Sequence, residues 1–171
     1  MNISPPRLSS KGATAWFYAM AFLVLCLDQG SKFWLRRALA VGETVPVLPG
    51  LVSVTHVHNT GAAFGMFPAG TTLFAVLSAV VCVGLVVWAQ QPARDGVLLR
   101  LALALELGGA LGNLIDRAVF GYVTDFIDLG TSIRVVREFP VFNLADTSLT
   151  IGAVCIILYL LKGTRRIALQ H

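Results

Sequence analysis

The sequence of residues 71–90 is TTLFAVLSAVVCVGLVVWAQ, and it contains no Asp, Glu, Lys or Arg. A helix of about 20 apolar residues is long enough to cross the hydrocarbon core of a bilayer, so this stretch predicts a transmembrane helix. The uncharged region is wider than the helix, because residues 44–93 also carry no formal charge. A region of this length without charge is not typical of a water-soluble domain.

The composition of the whole chain supports this interpretation. Of the 171 residues, 56% are hydrophobic and only 13% are charged, and the mean hydropathy is +0.77. Soluble domains average roughly 25% charged residues. We therefore expect residues 1–171 to form a single integral-membrane domain.

Three further segments are long and apolar enough to span a membrane: about 13–34, 97–115 and 144–161. Together with residues 71–90 they predict a membrane all-α core of four transmembrane helices, with outer segments at 35–70 and 116–143. A cleaved signal peptide is disfavoured for the first segment, because Asp28-Gln-Gly-Ser-Lys32 follows its apolar run directly and no small-residue cleavage site is evident.

Four spans place both termini on the same side of the membrane. That side would hold 7 basic residues and the other side 6, so the positive-inside count is nearly a tie. The connector at 91–96 is short, whereas the other two connectors are long and patterned, as functional loops often are. We therefore expect both termini in the cytoplasm.

The acidic residues are distributed unevenly, since 7 of the 9 fall on the outer side. Carboxylates at membrane depth are costly and are usually functional. The alternative for any one of them is that it caps a helix or marks the water boundary. The seven are Asp28, Glu43, Asp116, Asp125, Asp128, Glu138 and Asp146.

Two outer segments have strand character. Residues 51–58 are rich in β-branched residues and are followed by Asn59-Thr-Gly61, and residues 133–139 end at Pro140. They predict a small extracytoplasmic β-sheet. The outer connector at 117–141 is a candidate lid.

Other ligand classes have little support in the sequence. The net charge of +4 comes without a basic stripe, which argues against nucleic acid. The three cysteines lie inside apolar runs and indicate neither disulfides nor a metal site. His56 and His58 share one strand face, which we interpret as solvated rather than metal-binding. We expect no cofactor and no metal.

Carboxylate chemistry remains. Asp125 lies on the last outer connector and Asp146 opens the fourth span, so the two can approach each other at the outer surface. Two close carboxylates in a poorly hydrated site share a proton, and one can then activate water while the other protonates a leaving amine. From the residues alone, Asp28, Asp116 and Asp128 remain alternative partners.

Five motifs, which occur in the order given below, decide among these aspartates. Through them the chain closely resembles lipoprotein signal peptidase (signal peptidase II), a family of bacterial intramembrane aspartyl proteases. They cover nearly the whole chain: Asp28-Gln29-x-Ser31-Lys32, Asn59-Thr60-Gly61-Ala62-Ala63-Phe64-Gly65, Gly108-Gly-Ala-Leu-Gly-Asn-Leu-Ile-Asp-Arg117, Thr124-Asp125-Phe126 and Phe142-Asn143-Leu144-Ala145-Asp146.

The resemblance implies that Asp125 and Asp146 are the catalytic pair. It also implies a set of substrate-binding or supporting residues, which are Asn59, Gly61, Asn113, Asp116, Arg117, Asn143, Asp28 and Lys32. The i, i+4 spacing of Asp28 and Lys32 favours a local ion pair, and a structural anchor and a substrate contact both remain open. We expect Asp116 to orient its neighbours.

The resemblance further implies the substrate and the location. The substrate is a prolipoprotein that carries diacylglycerol on a cysteine and is cut on the N-terminal side of that cysteine. The enzyme lies in the bacterial inner membrane, in contact with lipid, with its site near the outer leaflet. Inhibition by cyclic peptides of the globomycin type is implied as well, and we expect a monomer.

Two other functions compete with the peptidase. A small proton- or ion-coupled transporter also uses intramembrane carboxylates, but near the midplane, where only Glu106 lies. An assembly factor without enzymatic activity would not need paired carboxylates. Glu106 has no evident helix partner, and we interpret Gly108-x-x-x-Gly112 as a site of close helix packing.

Overall fold

The structure is a computed structural model that describes residues 10–61, 70–91, 96–130, 136 and 138–168. Within these residues it contains four long helices and three strands. In chain order they are α1 (Ser10–Ala38), β1 (Thr44–Leu48), β2 (Val52–Asn59), α2 (Thr71–Ala89), α3 (Val97–Phe120), β3 (Val123–Asp128) and α4 (Leu144–Ala168).

Each of these helices is long and apolar enough to cross a membrane, over Lys11–Ala38, Thr71–Ala89, Val97–Phe120 and Leu144–Lys162. The prediction of a four-helix membrane core is therefore confirmed. The helices α1 and α3 continue four and five residues past their predicted ends at 34 and 115. Hydropathy misses these turns because they carry charged side chains, of which Arg36 and Asp116 are paired with each other inside the protein.

The helix α3 lies at the centre of the bundle and packs against the other three helices. Half of its span is buried within the protein, compared with 28% of α1 and 11% each of α2 and α4. Small or apolar side chains such as Phe17, Ala21, Leu107 and Ala110 form the core around it. The remaining helix surfaces expose valine and leucine, as expected for helices whose solvent is lipid.

Two glycines of α3 allow α1 to approach closely. A Cβ atom added at Gly108 would lie 2.6 Å from Val24 Cβ and 2.7 Å from the Ala21 carbonyl oxygen. A Cβ atom added at Gly112 would collide with the Asp28 carboxylate. The interpretation of this pair as a packing motif agrees with these contacts.

The contacts define the directions of the helices. The C-terminal part of α1 contacts both the C-terminal part of α3 and the N-terminus of α4, through Lys32 with Asn113 and Asp28 with Ala145. At the other end, the Thr14 hydroxyl donates to the Ala89 carbonyl at the end of α2. Hence α1 and α3 run in one direction and α2 and α4 in the other. We call the end where α1 and α3 finish the sheet end.

The three strands form an antiparallel sheet in the order β1-β2-β3. The predicted strand at 51–58 is confirmed as β2, one residue later. The second predicted strand, at 133–139, is wrong where it can be compared, since residues 136, 138 and 139 are outside the strands and the rest lie outside the described residues. The third strand is β3 instead, and the candidate lid falls partly on undescribed residues and stays a prediction.

Two local features place β3 beside the helix ends. Gly121 has φ 76°, a left-handed conformation that suits glycine, and its N–H donates to the Arg117 carbonyl at 3.1 Å. It turns the chain from α3 directly into β3. On the far side of β3, Phe142 forms an antiparallel bridge with Ile127, immediately before α4 begins. Asn143 and α4 are thereby held against β3.

The Gly108 contact generates a prediction. We expect Gly108→Ala to lower the free energy of unfolding by about 1–3 kcal/mol, because the new methyl group overlaps α1. Thermal unfolding in detergent measures the change. Gly84→Ala in α2 is the matched control, since nothing lies within 4 Å of a Cβ there. It should leave stability unchanged or raise it by about 0.5–1 kcal/mol. Equal melting temperatures for the two variants would contradict this account.

Candidate active site

A cavity of about 290 Å³ opens at the sheet end, and both Asp125 and Asp146 line it. Part of its lining is polar, and the rest, which we call the apolar wall, consists of hydrophobic side chains. Its lining residues are Asn59, Gly61, Asn113, Arg117, Val123, Asp125, Phe139, Pro140, Val141, Phe142, Asp146, Leu149 and Thr150. The structure thus brings together the two aspartates that lie 21 positions apart in the chain.

Asp125 is 1% exposed on β3, and each of its carboxylate oxygens accepts a hydrogen bond from an amide side chain. Asn143 Nδ2 donates to Oδ1 at 2.6 Å, and Asn59 Nδ2 donates to Oδ2 at 2.9 Å. Burial, followed by the negative charge of Asp146, raises the pKa of Asp125 from its ordinary 3.8 to about 7. The two amide hydrogen bonds and the charge of Lys32 oppose that rise.

Asp146 is held by a reciprocal cap at the start of α4. The Asn143 side-chain oxygen accepts a hydrogen bond from the Asp146 N–H at 2.9 Å, and Asp146 Oδ2 accepts one from the Asn143 N–H at 3.2 Å. This is the geometry of a capping box, built here from Asn and Asp three residues apart. Asn113 Nδ2 donates to the other oxygen, Oδ1, at 2.8 Å.

Asn143 therefore contacts both carboxyl groups, one through its side chain and one through its backbone. All four carboxylate oxygens of the pair accept at least one N–H hydrogen bond. Such contacts fix the direction of each carboxyl group, and they leave the remaining lone pairs of both carboxylates for a shared proton or a water molecule.

The residues Asp28, Lys32 and Asp116 are fully buried and do not line the cavity. The expected ion pair between Lys32 and Asp28 is present, with Nζ 2.9 Å from Oδ2, and Lys32 also lies 3.2 Å from Asp116 Oδ2. Asp28 Oδ1 accepts the Ala145 N–H at 2.9 Å, which caps α4 from α1. Of the two alternatives left open for this pair, the geometry fits the structural anchor.

Asp116 connects α3 to β3, as its expected orienting role requires. Its Oδ2 accepts the Thr124 N–H at 2.9 Å, one residue before Asp125. Arg36, which the motif analysis did not single out, lies 3.4 Å from Asp116 Oδ1 and donates to the Thr124 hydroxyl at 2.9 Å. The sequence does contain an indication, because Asp28, Lys32 and Arg36 recur every four residues and share one helix face.

The remaining expected residues lie at the rim of the cavity. Asn59 ends β2, and its side-chain oxygen accepts the Gly61 N–H at 3.0 Å while its Nδ2 faces Asp125. Arg117 is partly buried, with its guanidinium 5.7 Å from the centre of the Phe74 ring. The apolar wall was not anticipated, since the sequence does not indicate which side chains of 139–150 turn inward.

Two expectations from isolated residues need revision. The histidines were expected on a solvated face. His58 is exposed and stacks on Tyr122, but His56 is buried, with Nδ1 2.9 Å from the Leu39 carbonyl oxygen. The burial of His56 therefore comes from its contact with the chain just after α1. Glu106 packs against Gly152 of α4, where a Cβ would lie 2.8 Å from Oε1.

The fold and the cavity define a class: a membrane protein of four apolar helices with a buried and a half-buried aspartate at one end of the bundle, each hydrogen-bonded to asparagine side chains. Comparisons with known proteins place it more closely. The family model described as Signal peptidase (SPase) II matches residues 20–162. The chain belongs to this family of peptidases, and the resemblance inferred from its motifs is confirmed.

Individual relatives agree. The lipoprotein signal peptidase of Pseudomonas syringae pv. tomato is 41% identical over 92% of this chain and 91% of that protein. The lipoprotein signal peptidase of Moorella thermoacetica is 43% identical over 85% of this chain and 92% of that protein. A solved structure of a bacterial membrane enzyme at 2.3 Å resolution superposes with a TM-score of 0.80 at 36% identity, covering 88% of this chain and 90% of that chain.

The raised pKa of Asp125 predicts how stability depends on pH. A carboxyl whose pKa is higher in the folded than in the unfolded state loses stability as pH rises from its unfolded value to its folded value of about 7. Raising the pH from 5 to 8 therefore lowers the free energy of unfolding by about 2–3 kcal/mol through this group.

We expect Asp125→Asn to remove that part of the pH dependence, so that its melting temperature relative to the parent increases from pH 5 to pH 8. Thermal unfolding in detergent across this range measures it. The matched control is Asp128→Asn, a carboxyl on the same strand that does not line the cavity, and it should follow the parent. A constant difference between Asp125→Asn and the parent would refute the prediction.

Proposed function

We propose that the protein is an aspartic endopeptidase that removes the signal peptide from diacylglyceryl-modified prolipoproteins, cutting on the N-terminal side of the modified cysteine. The observation that carries the proposal is the cavity in which Asp125 and Asp146 share Asn143. The name of the relatives, lipoprotein signal peptidase, supports the substrate class.

The two carboxyl groups share one proton in this mechanism. The ionised carboxylate takes a proton from a water molecule, whose oxygen attacks the scissile carbonyl carbon. The protonated carboxyl then gives its proton to the amide nitrogen as the C–N bond breaks, which releases an amine. The pKa of about 7 for Asp125 supports a pair that holds a single proton near neutral pH. The pair titrates as one unit, so either aspartate can begin as the base.

The amide side chains serve this chemistry by holding the carboxyl groups in place. Asn59 and Asn143 direct Asp125, while Asn113 and the backbone of Asn143 direct Asp146. Gly61 and Arg117 lie on the same cavity wall, where they can contact the substrate backbone. Preorganised groups of this kind do not have to reorganise as the transition state forms.

The proposed setting is the bacterial inner membrane, with both termini in the cytoplasm and the cavity near the outer leaflet. The lipid chains of the substrate would then stay in the bilayer against the exposed apolar helix faces, while the peptide enters the cavity. The apolar wall formed by Val123, Val141 and Leu149 suits a signal peptide's small apolar residues. A monomer suffices for this arrangement, and cyclic peptides of the globomycin type would compete for the cavity.

A transporter receives no comparable support. Ion-coupled transport calls for ionisable groups near the midplane, and Glu106 at that depth packs between α3 and α4 against Gly152. Membership of a peptidase family also favours hydrolysis over a non-enzymatic assembly role.

The paired carboxylates lead to the first test of this function. Purified protein in detergent is given a lipid-modified prolipoprotein, and cleavage is followed by gel shift. We expect Asp125→Asn and Asp146→Asn each to lower kcat by at least about 100-fold, because each removes a proton-transfer group. The control Asp128→Asn should cleave at nearly the parent rate. Undiminished cleavage by either variant of the pair would exclude the mechanism.

The substrate's lipid leads to the second test. We expect the diacylglyceryl-modified prolipoprotein to be cleaved with a kcat/KM at least about tenfold above that of the unmodified form, because the acyl chains hold the substrate in the same micelle as the enzyme and raise its effective concentration. Mass spectrometry of the product should show the modified cysteine as its new N-terminus. Equal rates on both forms, or a cut at another bond, would contradict the proposed specificity.

A further inference from the structure

The ammonium group of Lys32 is fully enclosed by the protein and is surrounded by three hydrogen-bond acceptors. The side chain is 0% exposed. Its Nζ lies 2.9 Å from Asn113 Oδ1, 2.9 Å from Asp28 Oδ2 and 3.2 Å from Asp116 Oδ2. An ammonium has three N–H donors, so these contacts use all of them.

Each of the three acceptors leads to a different part of the site. Asn113 donates to Asp146. Asp28 accepts the backbone N–H of Ala145, at the start of the helix that carries Asp146. Asp116 accepts the backbone N–H of Thr124, the residue before Asp125. One cation is thus two hydrogen bonds away from the Asp146 carboxyl group and three, through Asn113 and Asn143, from that of Asp125. It does not line the cavity itself.

The link through Asn113 is directional. A carboxamide presents oxygen on one side and NH₂ on the other, and the Lys32 cation at the oxygen turns the NH₂ toward Asp146. If the amide turned over, two oxygen atoms would face each other at Asp146. Asn143 Nδ2 also approaches Asn113 Oδ1, at 3.2 Å, but it makes its shorter contact, 2.6 Å, with Asp125. Lys32 is therefore the stronger donor to Asn113.

The charges around Lys32 come from four elements. Asp28 and Arg36 lie on α1, Asp116 and Arg117 on α3, Asp125 on β3 and Asp146 on α4. Lys32 and Arg36 balance Asp28 and Asp116 within the buried network. The field of Lys32 nevertheless reaches the pair, since its charge lowers the pKa of Asp125 against the effect of burial.

We propose that Lys32 is a positioning residue for the carboxylate pair: through Asn113 it sets the direction of Asp146, and through its charge it keeps one carboxyl of the pair ionised. This inference rests on the proposed function only for its effect on turnover. Its effect on protonation applies whatever the cavity binds.

Lys32→Met would leave two buried carboxylates with Arg36 alone, and this can prevent folding. The test therefore uses the double variant Asp28→Asn/Lys32→Gln, which removes one charge of each sign and keeps an oxygen at position 28 to cap α4. The matched control is Arg36→Gln, which removes a cation from the same network that has no contact with Asn113. Thermal unfolding establishes that each variant is folded.

Two measurements judge the inference. Kinetics with a lipid-modified prolipoprotein should show that the double variant loses kcat by roughly 10- to 100-fold with little change in KM. In a plot of kcat against pH, the acidic limb of the double variant should move up by about one pH unit. Arg36→Gln should keep the acidic limb of the parent. The direction of the pH change follows because the charge of Lys32 lowers the pKa of Asp125, whereas Asp28 and Arg36 are not among the groups that shift it.

The second measurement does not need turnover. An infrared titration follows the protonated-carboxyl band that is absent from Asp125→Asn, and its midpoint should rise by about one pH unit in the double variant only. If the parent fails to cleave prolipoprotein but this midpoint rises, the proposed function fails and the Lys32 inference stands. A folded double variant with the parent's midpoint and kcat, or one that matches Arg36→Gln in both, would overturn the inference.

Discussion

The ion network of Lys32, Asp28 and Asp116 is the interaction on which the rest of the sheet end depends. All three side chains are fully buried, and a buried charge is tolerated only when partners satisfy it. The partners of these charges, including the Thr124 and Ala145 N–H groups, lie on α1, α3, β3 and α4, so satisfying the charges also holds these four elements in one arrangement. The network is connected to the cavity through Asn113, which lines the cavity and contacts Lys32.

The two aspartates of the cavity are hydrogen-bonded to neutral amides and are not paired directly with cations. Asp125 accepts hydrogen bonds from neutral amide groups, and burial together with the negative charge of Asp146 raises its pKa to about 7. Asp28 and Asp116 stay close to cations in the same region. The protein thus keeps two kinds of carboxylate at the sheet end. Asp28 and Asp116 are paired with cations, whereas Asp125 and Asp146 are held by amides, as the proposed proton transfer requires.

Much of this could be predicted from the sequence. The uncharged run at 71–90 and the three similar segments predict the helices, because a span needs only length and apolarity. The i, i+4 spacing of Asp28 and Lys32 predicts their ion pair, since such pairs depend on local helix geometry. The β-branched run at 51–58 likewise predicts β2. The motifs identify the family, and with it the set of site residues that we propose.

The partners of β2 could not be predicted in the same way. The strand expected at 133–139 is absent from residues 136, 138 and 139, and β3 at Val123–Asp128 occupies the sheet instead. Strand pairing depends on where distant segments meet, and here that is controlled by the turn at Gly121 and by the Phe142 bridge. The burial of His56 also depends on a contact between distant segments, that with Leu39.

Some features of this protein therefore follow from local sequence, and others depend on contacts between distant segments. The chain's composition and spacing are enough for the membrane helices, for the uneven placement of the acidic residues and for the choice of Asp125 and Asp146 through family motifs. Folding decides which carboxylates meet cations and which meet amides, because that depends on contacts such as Lys32 with Asn113, which lie 81 positions apart. The same contacts decide that Lys32 stands behind the cavity and not in it.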